Sequence, residues 1–524
     1  MLRFFYLLLM SLAAHAQDFD LLITGGRIVD GSGNAWYRAD LGIRQGRIAE
    51  IGALKDRKAA RVIDAQGQIV SPGFIDMMGN SSEPIFNDRT SAESKLRQGI
   101  TTILAGEGSS TAPSPRWKTF KDYFHAVEAK GIPMNAVHNV GAAQVRRMVI
   151  GEEDRKPSPA EMQQMRALVD QAMRDGAVGF STALIYPPGV YASTEELVEL
   201  AKVVSKYGGI YMTHMRNESN QVLDAIRESI RIGEEGGVPV HIFHLKAAGE
   251  ENWPLMKDAI ALIQSARDRG LDVTADIYPY IRNGLGLGSF IRPSHYANGS
   301  APFLATLSDA KVRAAIRKEV EETSDWENWY RHVGRNWDNV LVAQAKEKRF
   351  EGKSIAQIAK MRATDEWTTF FDLVQNGEAE VNPKSMNEEQ KRLALRTAWI
   401  SICTDSPPLS IGVATNAHPR GFGSFPRILA KYVRDEKVIS LEEAVRKMTS
   451  LAANQLMIYD RGRISPGAAA DILIFDPDRI QDTATFEKPI AFPTGLPYVI
   501  VNGRVAIDNG RFTSENAGMI LRRR

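Results

Sequence analysis

The sequence predicts an α/β protein: a (β/α)8 TIM-like barrel, flanked by a small β-sandwich built from both chain ends and carrying a helical insertion. Three patterns predict it. Short β-rich runs with glycine turns occupy both ends, strands alternate with helical periods over roughly 350 residues between them, and successive central strands end in polar side chains. At 524 residues the chain exceeds one ordinary domain, and its 44% hydrophobic and 24% charged residues exclude disorder, collagen and coiled coil.

Residues 1–16 read as a signal peptide. Arg3 precedes an apolar run over 4–12, and the small-residue ending Ala14-His15-Ala16 sets cleavage after Ala16. An exported protein, periplasmic or secreted, is expected. No later stretch approaches the ~20 apolar residues that span a bilayer, so no membrane span is expected. Lys+Arg number 65 against 63 Asp+Glu, which leaves no basic excess for the phosphates of a nucleic acid. The single cysteine, Cys403, excludes an internal disulfide and a cysteine-based zinc cluster, so any metal must sit on His, Asp or Glu.

Residues 17–70 form the first part of the sandwich: runs at 21–24, 48–51 and 61–64 each precede a glycine turn and read as a small antiparallel sheet. The matching runs 470–475 and 498–505 lie in residues 455–524, the second part. Between them, residues 71–454 carry helical periods at 159–175, 195–207, 222–236 and 255–269. Such alternation suits an open parallel sheet or a closed barrel. Polar residues favour the barrel. A strand at 209–213 ends in His214, one at 238–243 in His244, one at 271–277 in Tyr278, and one at 398–404 in Asp405. The carboxyl ends of barrel strands are where active sites are built. A lone histidine there is more often a hydrogen-bonded core residue. That account is poor for two of nine histidines at corresponding positions of consecutive units. Residues 292–395, charged and holding Trp326, Trp329, Trp337 and Trp367, read as a helical insertion that covers the barrel mouth or packs its aromatics into a core of its own.

With these residues in view the sequence resembles the amidohydrolase superfamily, and within it the N-acyl-D-amino-acid deacylases. The likeness runs through residues 20–33, 71–76, 99–102, 176–192, 211–218, 241–249, 276–280, 404–406, 418–434 and 467–475. It implies a metal-dependent barrel with His214 and His244 as metal ligands and Asp405 as the catalytic aspartate. Two departures stand out. After Pro72-Gly73-Phe74-Ile75-Asp76 the superfamily carries a His-x-His pair, whereas this chain reads Met77-Met78-Gly79-Asn80. A thioether and a carboxamide do not replace two imidazoles for zinc. A mononuclear enzyme follows, or a binding protein that has lost activity. On the next strand the deacylases place a cysteine ligand in a Gly-Asn-Cys-Gly turn, and here Gly106-Glu107-Gly108 takes that place. Glu107 is expected as the third ligand beside the two imidazoles, the fourth position being open to water. The bland alternative is a solvent-facing turn glutamate or one paired with an arginine.

The resemblance implies a Zn2+ cofactor, about one per chain, whose water is made acidic, and Asp405 as the group that takes that proton and passes it to the leaving nitrogen. Lys246, Tyr278 and Arg420 match positions near the substrate; Lys246 and Arg420 match those that hold its carboxylate, Arg420 by paired hydrogen bonds. The family's serine six residues past Tyr278 is Gly284 here. The implied function is zinc-dependent hydrolysis of the amide bond of N-acyl-D-amino acids, or of small peptides with a C-terminal D-residue. The partner is thus a small molecule with a free carboxylate. A dipeptidase, a cyclic amidase and an inactive binding protein are the alternatives, and Lys246 and Arg420 weigh against a cyclic amide.

Overall fold

The computed structural model describes residues 17–523 except 378 and 413–417, so the expected signal peptide lies outside the described residues. Eight strands pair in parallel and in chain order: Phe74–Asp76, Ile100–Ala105, Asn135–Gly141, Gly179–Ala183, Ile210–His214, Val240–Ile242, Val273–Ile277 and Ile400–Ile402. Every residue in them is buried, as a parallel sheet covered on both faces requires. They form the (β/α)8 barrel. Its helices start and stop where local chemistry dictates. In Pro159–Asp175, Ser158 and Glu161 make a capping box, Pro159 opens the first turn, and Gly176 closes the last in a left-handed conformation.

The first and eighth strands are joined through side chains. Asp76 Oδ1 accepts from the Thr404 backbone N–H (2.8 Å), and Asp76 Oδ2 accepts from Thr404 Oγ1 (2.6 Å) and Lys95 Nζ (2.9 Å). Lys95 also donates to the Ser406 carbonyl at 2.7 Å. Both charged groups are fully buried, so each needs the other. This seam fixes the residues on either side of Asp405.

Both chain ends build one nine-stranded sheet, in which Ile472–Phe475 pairs antiparallel with Ile69–Pro72. Leu21, Ile23, Ile43, Val70, Ile472 and Ile474 share its core. The amino-terminal part is mixed rather than antiparallel. Phe19–Ile28 shifts register between Ile23 and Gly26, so one half pairs in parallel with Ala59–Asp64 and the other with Ile69–Pro72. The last residues leave the sheet, with Gly518 and Ile520 bridging to Ile132 and Ala136 on the barrel.

The insertion is not purely helical. Leu285–Gly286, Val340–Gln344 and Glu380–Pro383 form a three-stranded antiparallel sheet among its helices. These strands are short and their partners distant in sequence, so no local period marks them. Trp326, Trp329, Trp337 and Trp367 pack with Phe290 and Phe370 in a core of the insertion's own. Among the described residues no helix is long and apolar enough to cross a membrane.

Candidate active site

His214, His244, Glu107 and Asp405 each stand at the carboxyl end of a barrel strand for a local reason. His214 is the last residue of its strand. The next strand stops at Ile242, and the chain turns through His244 at φ +35°, its backbone N–H donating to Asp276 Oδ1 at 2.6 Å. Asp405 is likewise left-handed, at φ +49°. Non-glycine residues hold such conformations only where their surroundings over-determine them, and they cluster at functional sites. Glu107 sits in a turn pressed against two neighbouring strands. A Cβ on Gly106 would lie 2.7 Å from the Asn139 carbonyl, and one on Gly108 would lie 2.7 Å from Ala183 Cβ. Both glycines are also left-handed.

This turn brings Glu107 Oε1 to 3.0 Å from His214 Nδ1 and 3.7 Å from His244 Nε2. The two imidazole rings stand nearly perpendicular, with centroids 4.5 Å apart. One donor atom from each of the three residues lies within 4.8 Å of the others. Two imidazoles and a carboxylate are a catalytic zinc set, so the residues fit the metal that the resemblance implies. The exposed-turn alternative for Glu107 does not describe this geometry.

Asn80, at the position of a missing histidine, donates from Nδ2 to Glu107 Oε2 at 3.0 Å and so orients the carboxylate. Met78 lies in the apolar core. Glu218, absent from the residues expected at the site, backs the His244 imidazole. Its Oε1 is 2.9 Å from His244 Nδ1, and its Oε2 is 3.7 Å from His214 Nε2. Outer carboxylates of this kind fix the tautomer and orientation of metal-binding imidazoles. The signal was present in the sequence as a carboxylate four residues past His214.

Burial works to raise the Glu107 carboxyl, but its contacts with the two histidines outweigh it and hold the group well below the usual carboxylate range. Burial and the Lys246 ammonium push the His244 imidazole down, yet the Glu218, Asp405 and Glu107 carboxylates prevail and lift it to about 9. Asp405 is raised by burial, against the opposing Arg420 guanidinium.

A cavity of about 190 Å³ gathers Glu107, His214, His244, Lys246, Tyr278, Asp405 and Arg420, with Asn80, Tyr186, Glu218 and Trp329 completing the wall. The two cations are not free. Arg420 Nη1 is paired with Asp405, and Lys246 Nζ lies 2.5 Å from Glu218 Oε1. At 9% and 2% exposure, each needs a counter-charge. Arg420 stacks over the Tyr278 ring at 5.0 Å, and His418 Nδ1 accepts from its backbone N–H. The Tyr278 hydroxyl is buried without a hydrogen-bond partner. A Cβ on Gly284 would lie 3.0 Å from Arg420 Nη2, so glycine there leaves room for the guanidinium.

The profile of the Amidohydrolase family matches residues 61–507. A D-aminoacylase of Alcaligenes xylosoxydans xylosoxydans is 33% identical, the match covering 97% of this chain and 98% of the relative. An N-acyl-D-glutamate deacylase of the same organism is also 33% identical, covering 97% of each chain. Among solved structures, the N-acyl-D-glutamate deacylase of Bordetella bronchiseptica complexed with zinc and a phosphonate inhibitor superposes with a TM-score of 0.82 at 31% identity, over 96% of this chain and 99% of that one. A D-aminoacylase structure, described by one-metal activation and second-metal attenuation, gives a TM-score of 0.80 at 32% identity over 96% of this chain and all of that one. With the barrel, the closing sheet and the cluster at its mouth, these matches show that the chain belongs to the amidohydrolase family, in its D-aminoacylase branch.

Proposed function

We propose that the protein is a zinc-dependent hydrolase that releases a free amino acid from N-acyl-D-amino acids or from small peptides with a C-terminal D-residue. The observation that carries this reading is the convergence of Glu107, His214 and His244 beside Asp405 in one buried cavity. The relatives that act on N-acyl-D-amino acids support the substrate class. Residues 1–16 support an exported enzyme.

Glu107, His214 and His244 would hold the ion. Zinc supplies Lewis-acid chemistry there and makes water acidic near neutral pH. The protein's own groups do the rest. Asn80 orients Glu107, and Glu218 orients the His244 imidazole. Asp405 accepts the proton of the attacking water and returns it to the amide nitrogen as the C–N bond breaks. Arg420 holds Asp405 through Nη1, and its Nη2 remains near the Gly284 carbonyl at 3.4 Å, in reach of a substrate carboxylate together with Tyr278. Trp329 and Tyr186 form part of the cavity wall.

The test is metal content of the purified full chain by mass spectrometry, alongside hydrolysis of N-acetyl-D- and N-acetyl-L-amino acids. About one zinc per chain and release of D-amino acids are expected. A fully loaded protein that cleaves neither this panel nor small peptides with a C-terminal D-residue is instead an inactive binding protein.

A further inference from the structure

Beyond the catalytic cavity lies a second one of about 540 Å³ that shares Tyr186 and Trp329 with it. Ile185, Ile291, Tyr296 and Glu327 also line it. Its volume lies in the ~300–1,000 Å³ range of ligand pockets. The order of the aromatic rings shows which part of a substrate reaches it. Tyr278 stands 6.3 Å from His244, His244 stands 4.5 Å from His214, and His214 stands 5.5 Å from Tyr186. A substrate whose carboxylate is held near Tyr278 and Arg420, and whose scissile carbonyl lies at the histidines, therefore extends its acyl part past Tyr186. An acetyl group would leave this space unfilled.

One wall of the second cavity carries a carboxyl group whose hydrogen-bonding capacity is only half used. Glu327 is 7% exposed. Its Oε2 accepts from the Glu218 backbone N–H at 3.0 Å, but its Oε1 has no hydrogen-bond partner. The nearest candidate, His332 Nδ1, is 3.6 Å away, and burial pushes that imidazole down to about 3, so it stays neutral. Arg147 and Glu152, also on the cavity wall, satisfy each other at 2.6 Å. Burial, and then the Glu218 carboxylate, raise the Glu327 carboxyl to about 8. A buried carboxyl in that state lacks a cation.

We propose that the second cavity binds the acyl part of the substrate and that Glu327 pairs there with a protonated amine, so that the preferred substrates are aminoacyl- or peptidyl-D-amino acids rather than acetylated ones. This rests on the deacylase reading above and names its substrate class. The reaction adds one water across the C-terminal amide and releases the D-amino acid and a shorter amino acid or peptide. Glu327 is a binding residue, taking no part in the bond change.

Two matched pairs, each with and without the amine, test it on the zinc-loaded full chain, with D-leucine release as the readout. The first is L-leucyl-D-leucine against 4-methylpentanoyl-D-leucine, and the second is glycyl-L-leucyl-D-leucine against N-acetyl-L-leucyl-D-leucine. N-acetyl-D-leucine is the reference; another D-residue replaces leucine if the acetyl panel selects one. The amine-bearing member of at least one pair should have a kcat/KM about tenfold or more above its partner and above the acetyl reference, and Glu327→Gln should bring the ratio towards about one. Ratios near one in both pairs, with the acetyl substrate cleaved, overturn the inference and leave the deacylase reading standing. The wild-type ratios decide this whether or not the variant folds. Release from no substrate at all refutes the deacylase reading, and this inference with it.

Discussion

Asp405 and Arg420 touch each other yet carry different tasks, so substitution separates them. Asp405→Asn keeps the shape and removes the proton acceptor; kcat should fall by at least ~10²-fold while zinc content, by mass spectrometry, is unchanged. Loss of zinc instead would make Asp405 a ligand. Arg420→Ala should raise KM for substrates with a free carboxylate, through loss of a charge-assisted pair worth about 1.5–3 kcal/mol, and raise it less for amidated analogues. It also removes the cation that opposes the burial-driven rise of Asp405. Asp405 would then need a higher pH to ionise, so the acid limb of the kcat profile should move upward. An unmoved limb with equal damage to acid and amide substrates would dissociate Arg420 from both tasks. Strand-end position made His214, His244 and Asp405 legible in the sequence. The roles of Asn80 and Glu218 were not, because they come from which atoms these side chains face across the site: Glu107 for one, and the His244 imidazole for the other.

At the scale of elements, the turn around Glu107 is the most constrained part of the site. Gly108 has φ +63°, and an added Cβ would lie 2.7 Å from Ala183 Cβ. Left-handed backbone costs a non-glycine residue roughly 1–2 kcal/mol before any clash. Gly108→Ala should therefore lower the denaturant midpoint of the metal-free protein and weaken zinc binding together, since the same displacement moves the Glu107 carboxylate. Weakened stability with unchanged zinc affinity would show that the turn does not position the ligand. Helices were legible where caps and apolar period agree: Val222–Gly236 ends at left-handed Gly237, where the sequence period also ended. The mixed pairing of Phe19–Ile28 and the sheet inside the insertion were not, because strand partners 36 or more residues away leave no mark on a local pattern.

Across the whole molecule, the metal cluster draws its three residues from three different barrel strands or the turns that follow them, while Asp405 follows the strand that Asp76 and Lys95 join to the first. Unfolding separates these groups, so an ion bound to the native cluster stabilises the whole barrel by mass action, by about 2.7 kcal/mol at a free concentration one hundred times Kd. Chelation should lower Tm, and readdition of zinc should restore it. In Glu107→Gln the carboxamide is a poorer ligand than the carboxylate, so the zinc-dependent part of Tm should shrink at the same zinc concentration while the metal-free Tm changes less. The comparison is made by calorimetry at a fixed scan rate, since a chain of this size need not unfold in one step. A chelation shift of equal size in both proteins would place the stabilising ion somewhere other than Glu107, His214 and His244, and would remove Glu107 from the ligand set.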